Sequence, residues 1–251
     1  MHSDCDGDGD GDRAAAGISA AAAATAASIT LTASAELAGR VDAMWDDAAR
    51  ALESARALSE QVAAAAQAMA RALDRGGKIL VCGNGGSAAD GLHFSGELLN
   101  KFRRVRRPLA AVCLAADVST ITSIANDESY DMVFAKQVEA LGRRGDVLVV
   151  ITTSGNSPNI MRAAAAARTA GLTCIALNGK DGGALSKMLR DGGDGDGDDG
   201  DEGDRGDGNG NRGRDIDIIA PGDSTARIQE IHAIIIHAFC ELIDLQLFGE
   251  S

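Results

Sequence analysis

From residue 76 onward, short apolar runs alternate with stretches whose apolar residues recur every three or four positions. The runs are 78–82 (KILVC), 109–114 (LAAVCL), 146–152 (DVLVVIT), 173–178 (TCIALN) and 215–220 (DIDIIA). Four of them are nearly continuous in apolar residues, as parallel strands buried on both faces are. Helical stretches begin near Ser87, Val118, Asn156 and Gly183, and a last amphipathic helix is predicted over 223–248. This alternation predicts an α/β fold, a doubly wound three-layer sandwich around a five-stranded parallel sheet. Upstream, Leu37, Val41, Met44, Trp45, Leu52, Leu58, Val62, Met69 and Leu73 recur at helical spacing in an Ala-rich context. One long helix or two are expected over 36–73, with a packing or oligomer role.

Composition narrows the field. The chain has 251 residues and a formal net charge of −13. Two Asp/Gly tracts, one at 1–12 and one at 191–211, account for all of that charge, so the rest of the chain is balanced. A globally basic nucleic-acid binder is excluded. The tracts hold nothing apolar to bury, so disorder is expected for a tail over 1–35 and for an insertion at about 191–214. The remainder, 36–250, reads as one domain. Calcium is the rival reading of the tracts, but Ala15 and Arg205 stand where an EF-hand loop needs its twelfth-position Glu. No run of eighteen strongly apolar residues marks a membrane span. The five cysteines lack a CxxC pair, and four sit in apolar runs, so buried thiols in a reduced, cytoplasmic protein are expected.

In doubly wound folds ligands bind beyond the carboxyl ends of the strands. Two such ends are small and polar. The first carries Asn84, Gly85, Gly86 and Ser87, where glycines let backbone N–H groups approach an anion at a helix start. It is neither a GxGxxG nor a Walker motif. The second carries Thr152, Thr153, Ser154 and Ser157, hydroxyl donors suited to a phosphate, with Pro158 placed for a first helical turn. Together they point to a small phosphorylated ligand. On the first helix His93 and Glu97 are i,i+4 and share a face, as two metal ligands or an acid–base pair would. On the last helix Gln229 and His237 are eight residues apart. The apolar run 231–240 predicts that His237 is desolvated.

The segments CGNGGSAADGLHFSGEL, SIANDESYDMVFAKQVEALG, GDVLVVITTSGNSPNI, LNGKDGG and STARIQEIHAIIIH resemble, in order and spacing, the sedoheptulose-7-phosphate isomerase (phosphoheptose isomerase) family of SIS domains. The resemblance runs from about Asp42 to Phe248, apart from the Asp/Gly insertion. It implies a homotetrameric phosphosugar isomerase with one zinc ion per subunit. Its expected product is D-glycero-D-manno-heptose 7-phosphate, a precursor of lipopolysaccharide or capsule heptose. Residue by residue, it implies substrate binding by Asn84, Gly85, Gly86, Ser87, Glu97, Asn126, Asp127, Thr152, Thr153, Ser154, Ser157 and Gln229. It implies zinc ligation by His93, Glu97, Gln229 and His237, with Glu97 and His237 catalytic. No nucleic-acid or membrane partner is expected.

Lys101, where many members have Arg, and Ala226, where some place an Asp, depart from the family pattern, as do the acidic tail and insertion. A non-catalytic branch of SIS proteins, which binds the replication initiator, is the alternative. That branch lacks the catalytic carboxylate and the final histidine, and this chain has Glu97 and His237. Eight residues of helix separate Gln229 from His237 by roughly 12 Å along the axis and about 80° around it. That spacing predicts a composite site, in which His93, Glu97 and Gln229 do not all come from the chain that supplies His237.

Overall fold

The computed structural model describes residues 34–191 and 215–250. The tail expected over 1–35 lies outside them except for its last two residues, and the expected Asp/Gly insertion lies outside them over 192–214. The chain divides into two compact units between Asp46 and Asp47. Of the first, only the opening turns of helix α1 (Ser34–Ala55) are described. A single 3-10 turn, Arg56–Leu58, ends α1, and α2 (Ser59–Asp74) follows, so the long Ala-rich pattern forms two helices.

The second unit alternates as the pattern predicts: β1 (Ile79–Gly83), α3 (Gly86–Leu99), β2 (Ala111–Cys113), α4 (Val118–Asp127), α5 (Ala135–Leu141), β3 (Val147–Ile151), α6 (Pro158–Thr169), β4 (Thr173–Gly179), α7 (Gly183–Asp191), β5 (Ile216–Ala220) and α8 (Thr225–Phe248). All strand pairs are parallel, in the order β2-β1-β3-β4-β5. Helix α5 is the element the pattern leaves out; it is seven residues long and follows α4 after a 3-10 turn at Tyr130–Met132.

Strand side chains alternate between two cores, as the two-residue period of a strand requires. Ile79, Val81, Val147, Val149, Ile175, Leu177 and Ile218 pack with α2, α3 and α8. Leu80, Cys82, Leu148, Val150, Cys174 and Ala176 pack with α5, α6 and α7 on the other face. By length and composition α8 could cross a membrane. Its Ile228, Ile231, Ile235, Ile236, Phe239 and Ile243 are instead buried in the first core. Cys82, Cys113, Cys174 and Cys240 are free, buried thiols. Burial pushes the Cys240 thiol up to about 12, with the nearby Glu97 and Asp244 charges adding to it.

The sheet order reverses between β1 and β3. From β1 the chain moves outward to β2, then returns across to β3 on the other side of β1. Crevices at such reversals, beyond the carboxyl ends of the strands, are where open parallel sheets bind ligands. Gly83 pairs with Ile151 in register, so the loops that leave β1 and β3 start side by side.

Candidate active site

The loop after β1 runs through Asn84 and Gly85 into α3. Gly85 has φ +56°, and α3 has no side-chain cap. The first N–H groups of a helix have no partner within it. Gly86 is glycine for a visible reason: a Cβ there would lie 2.5 Å from Gln229 Nε2 and 3.1 Å from its Cδ and Oε1. The Gln229 carboxamide therefore rests on the loop.

The loop after β3 carries the hydroxyls. Thr152 is buried, and its Oγ1 accepts from Gly155 N at 3.2 Å. Ser154 Oγ accepts from Asn156 N at 3.3 Å. Thr153 and Ser157 make no side-chain hydrogen bond within the described residues, and Ser157 opens α6 without capping it. Gly155 has φ +63°, and a Cβ there would run into the Gly182 carbonyl. That contact explains the LNGKDGG segment, whose role the sequence leaves open: its glycines form the floor on which the hydroxyl loop lies. The loop glycines thus keep both strand ends bare around two helix N-termini, an arrangement that suits phosphate.

Farther along, α3 and α8 run side by side in the same direction. Gly86 meets Gln229, His93 meets His237 and Phe94 meets Phe239. His93 Nε2 and His237 Nε2 are 2.9 Å apart. At that distance one ring carries the proton and the other accepts it. Glu97 Oε1 is 3.8 Å from His93 Nδ1, beyond hydrogen-bond range, and the carboxylate accepts no hydrogen bond within the described residues. Phe102 stacks on the His237 ring, with centroids 5.5 Å apart and planes 22° from parallel.

His93 and His237 come together across two parallel helices of one chain, with Glu97 beside them, while Gln229 rests on Gly86, two turns before His237, and stays apart from that group. One expectation is corrected here: His237 is not desolvated but exposed, beside an exposed Ile234. The buried histidine is His232, whose Nε2 pairs with the Asn178 carbonyl at 2.8 Å and whose Nδ1 has no partner. Burial lowers its pKa from 6.5, against the opposing pull of that carbonyl.

Of the other residues singled out, Ser87 is buried in the first turn of α3. Asn126 and Asp127 end α4, exposed, with Asn126 Nδ2 donating to Asp127 Oδ1 at 2.8 Å. Sequence reasoning missed four residues that hold the site. Asn159 and Tyr130 bond Asn84. Arg106 anchors the segment that carries Phe102, through Asp244 and the carbonyls of Glu97, Leu98 and Asn100. Asp90, one turn before His93, has a buried Oδ2 without a partner, and burial raises its pKa despite the His93 ring nearby. Among the described residues no group of three or more His, Cys, Asp or Glu side chains is set around a cation.

The fold and the two loops define a SIS domain: the sequence model of the SIS domain family matches residues 45–179. Among relatives, the phosphoheptose isomerase of Methylococcus capsulatus is 48% identical over 80% of this chain and 91% of its own length. That of Thiobacillus denitrificans is 46% identical over 79% and 89%. The solved phosphoheptose isomerase of Neisseria gonorrhoeae superposes with a TM-score of 0.70 at 43% identity, covering 83% of this chain and 98% of that one. The chain belongs to the phosphoheptose isomerase family of SIS-domain proteins.

Proposed function

We propose that this protein isomerises sedoheptulose 7-phosphate to D-glycero-D-manno-heptose 7-phosphate, at the head of heptose supply for lipopolysaccharide or capsule. The observation that carries the reading is the seam where α3 packs on α8. At one end it holds the Gly86–Gln229 contact beside the two loops, and farther along it holds His93, Glu97 and His237. A phosphosugar needs both ends: an anion site, and an acid–base pair over its reacting carbons.

Aldose–ketose isomerisation moves a proton between C1 and C2 through an enediol(ate). Glu97 is the base we assign. Its carboxylate carries no competing hydrogen bond, so an oxygen is open to take the proton from one carbon and return it to the other. His237 is the acid, supplying a proton to the C2 carbonyl oxygen as the enediol forms and taking one from the C1 hydroxyl as the product carbonyl forms there. Phe102 fixes its ring plane. The phosphate lies at the loop after β3, where Thr152, Thr153, Ser154 and Ser157 and the start of α6 supply donors. Asn84, Gly85, Gly86, Ser87, Asn126, Asp127 and Gln229 line the sugar's path. Remote phosphate binding then orients the carbons over Glu97.

Zinc fits two of these side chains. His93 and His237, whose Nε2 atoms are 2.9 Å apart, would hold it together, and Glu97, beside His93, would join them. Gln229 is two turns away in this structure and would complete the set only by leaving Gly86. When bound, zinc supplies Lewis-acid polarisation of the substrate oxygens. The homotetramer is supported by exposed Leu92, Leu99, Ile234 and Leu245, which flank the histidine pair on α3 and α8. A cytoplasmic setting is supported by the four free buried thiols.

The test is incubation of the purified protein with sedoheptulose 7-phosphate, with aldoheptose followed by NMR. Turnover is expected. None, with or without added zinc, would overturn the reading in favour of a non-catalytic SIS protein. Light scattering on the same sample reads the tetramer.

A further inference from the structure

Asn84 follows β1, and Asn159 sits in the first turn of α6, 75 residues later in the chain. Their carboxamides exchange two hydrogen bonds: Asn84 Nδ2 donates to Asn159 Oδ1 at 2.9 Å, and Asn159 Nδ2 donates to Asn84 Oδ1 at 2.8 Å. The Tyr130 hydroxyl donates to the same Asn84 oxygen at 3.0 Å. A carboxamide oxygen has two lone pairs and its nitrogen has two hydrogens. Both lone pairs of Asn84 are therefore taken and one N–H is used. One N–H remains, so Asn84 is fixed as a donor and cannot accept from a ligand. Asn159, the anchor, is 2% exposed, whereas Asn84 is only half-buried and faces the crevice between the loops.

We propose that Tyr130 and Asn159 are positioning residues for the isomerisation. They hold the open Asn84 N–H toward an oxygen of the sugar phosphate, and they clamp the loop after β1 to the loop after β3. The clamp matters because the crevice lies at the sheet's reversal, where the two loops have separate origins. Without it, a half-turn of the Asn84 side chain would present oxygen to an oxygen-rich ligand, and the two anion-binding helix starts would lose their fixed spacing. Tyr130 reaches Asn84 from the 3-10 turn that follows Asn126 and Asp127, so the lock also ties in the end of α4. The choice of ligand rests on the phosphosugar reading above; the lock itself does not.

Tyr130→Phe removes only the hydroxyl of a residue 52% exposed, so the fold should hold. It should raise KM for sedoheptulose 7-phosphate about 3- to 10-fold, the worth of one neutral hydrogen bond, with kcat within about twofold. Asn159→Asp keeps the size but removes the donor to Asn84, and should raise KM by at least as much. In an Asn84→Ala background both substitutions should leave KM where Asn84→Ala alone puts it. An undiminished effect of Tyr130→Phe in that background would mean that Tyr130 meets the ligand itself, and would overturn the proposal. A ligand-free readout separates this from failure of the isomerase reading. Amide hydrogen exchange at 84–90 and 155–161 should quicken in Asn159→Asp at both places. Unchanged exchange at both would overturn the clamp, whatever the wild-type protein turns over.

Discussion

Adding one methyl group at Gly86 should separate catalysis from stability. Gly86 opens α3 with an ordinary helical backbone, so alanine is not strained there, and in a helix alanine gains up to about 1 kcal/mol over glycine. The three atoms nearest to the new Cβ all belong to the Gln229 carboxamide, the nearest at 2.5 Å. That group is the far end of a flexible side chain and can swing away, at much less than the roughly 1–3 kcal/mol of overpacking a rigid core. Gly86→Ala should therefore unfold in urea within about 1 kcal/mol of wild type. Displacing the carboxamide from its place on Gly86 should cost one ligand hydrogen bond, about 1–2 kcal/mol, or roughly 5- to 30-fold in kcat/KM. The assay is initial-rate NMR with sedoheptulose 7-phosphate beside urea titrations of the same samples. In a Gln229→Ala background the added methyl no longer meets that carboxamide, so kcat/KM should show no further loss. A wild-type kcat/KM for Gly86→Ala would refute the role of the Gly86–Gln229 contact. Gly155→Ala is the contrast: it puts a Cβ on the Gly182 backbone at φ +63°, and should lose stability as well as activity.

Glu97→Gln should fold normally and lose isomerase activity by several orders of magnitude, because an amide cannot accept the carbon-bound proton. Wild-type rates of exchange with D2O at C1 of sedoheptulose 7-phosphate would assign the base elsewhere. Arg106→Leu should destabilise the fold by about 3–5 kcal/mol in urea titrations, since the Arg106–Asp244 pair is nearly closed to solvent and a lone buried carboxylate would remain. A loss below about 1 kcal/mol would show that Asp244 finds another partner. His232 sets a pH dependence. Its folded pKa is lowered from 6.5, so its contribution is complete above pH 6.5 and is lost as pH falls through the folded value. Urea titrations at pH 7.5 and 5.5 should show wild type losing more stability on acidification than His232→Leu; equal losses would remove His232 as the cause.

The layer order of this fold was legible because strands and helices write different periods into the chain. The runs at 146–152 and 173–178 are buried on both faces and show it by their continuity. Helix α5 was not legible: seven residues give no second period, and FAKQVEALG reads as an extension of the helix before it. Both ligand loops stood out by composition, since Gly, Ser and Thr cluster where apolar strands stop. What stayed hidden lies between distant segments. His93 and His237 are 144 residues apart, and spacing along α8 says nothing about a partner on α3. The run 231–240 is apolar on nearly every side, so it could not tell which histidine faces inward. His232 and His237 are five residues apart, about 140° around the helix, and only the packing of α8 on the sheet decides that His232 is the buried one. Arg106, Tyr130 and Asn159 act through long-range hydrogen bonds and leave no local mark.

That dependence on long-range contacts follows from how a parallel sheet builds a site. Successive parallel strands all point the same way, so every strand-to-helix loop emerges at one edge. Helix α3 then covers one face of the sheet and α6 the other, because the connections on the two sides of the reversal wind onto opposite faces. Their N-terminal ends, each carrying partial positive charge, meet at the shared edge from opposite sides of the sheet. Nothing in either βα unit alone fixes the gap between them, since the register of β1 on β3 stops at Gly83 and Ile151. Beyond that pair the spacing depends on side chains, and the Asn84–Asn159 exchange is the bond that spans it. On the α3 side a second constraint begins: the parallel packing of α3 on α8 carries the geometry from Gly86 and Gln229 to His93, Glu97 and His237. The start of α3 at the loop after β1 and the histidine pair farther along are thus set by one helix. An error in the register of α3 against α8 would disturb binding and proton transfer together.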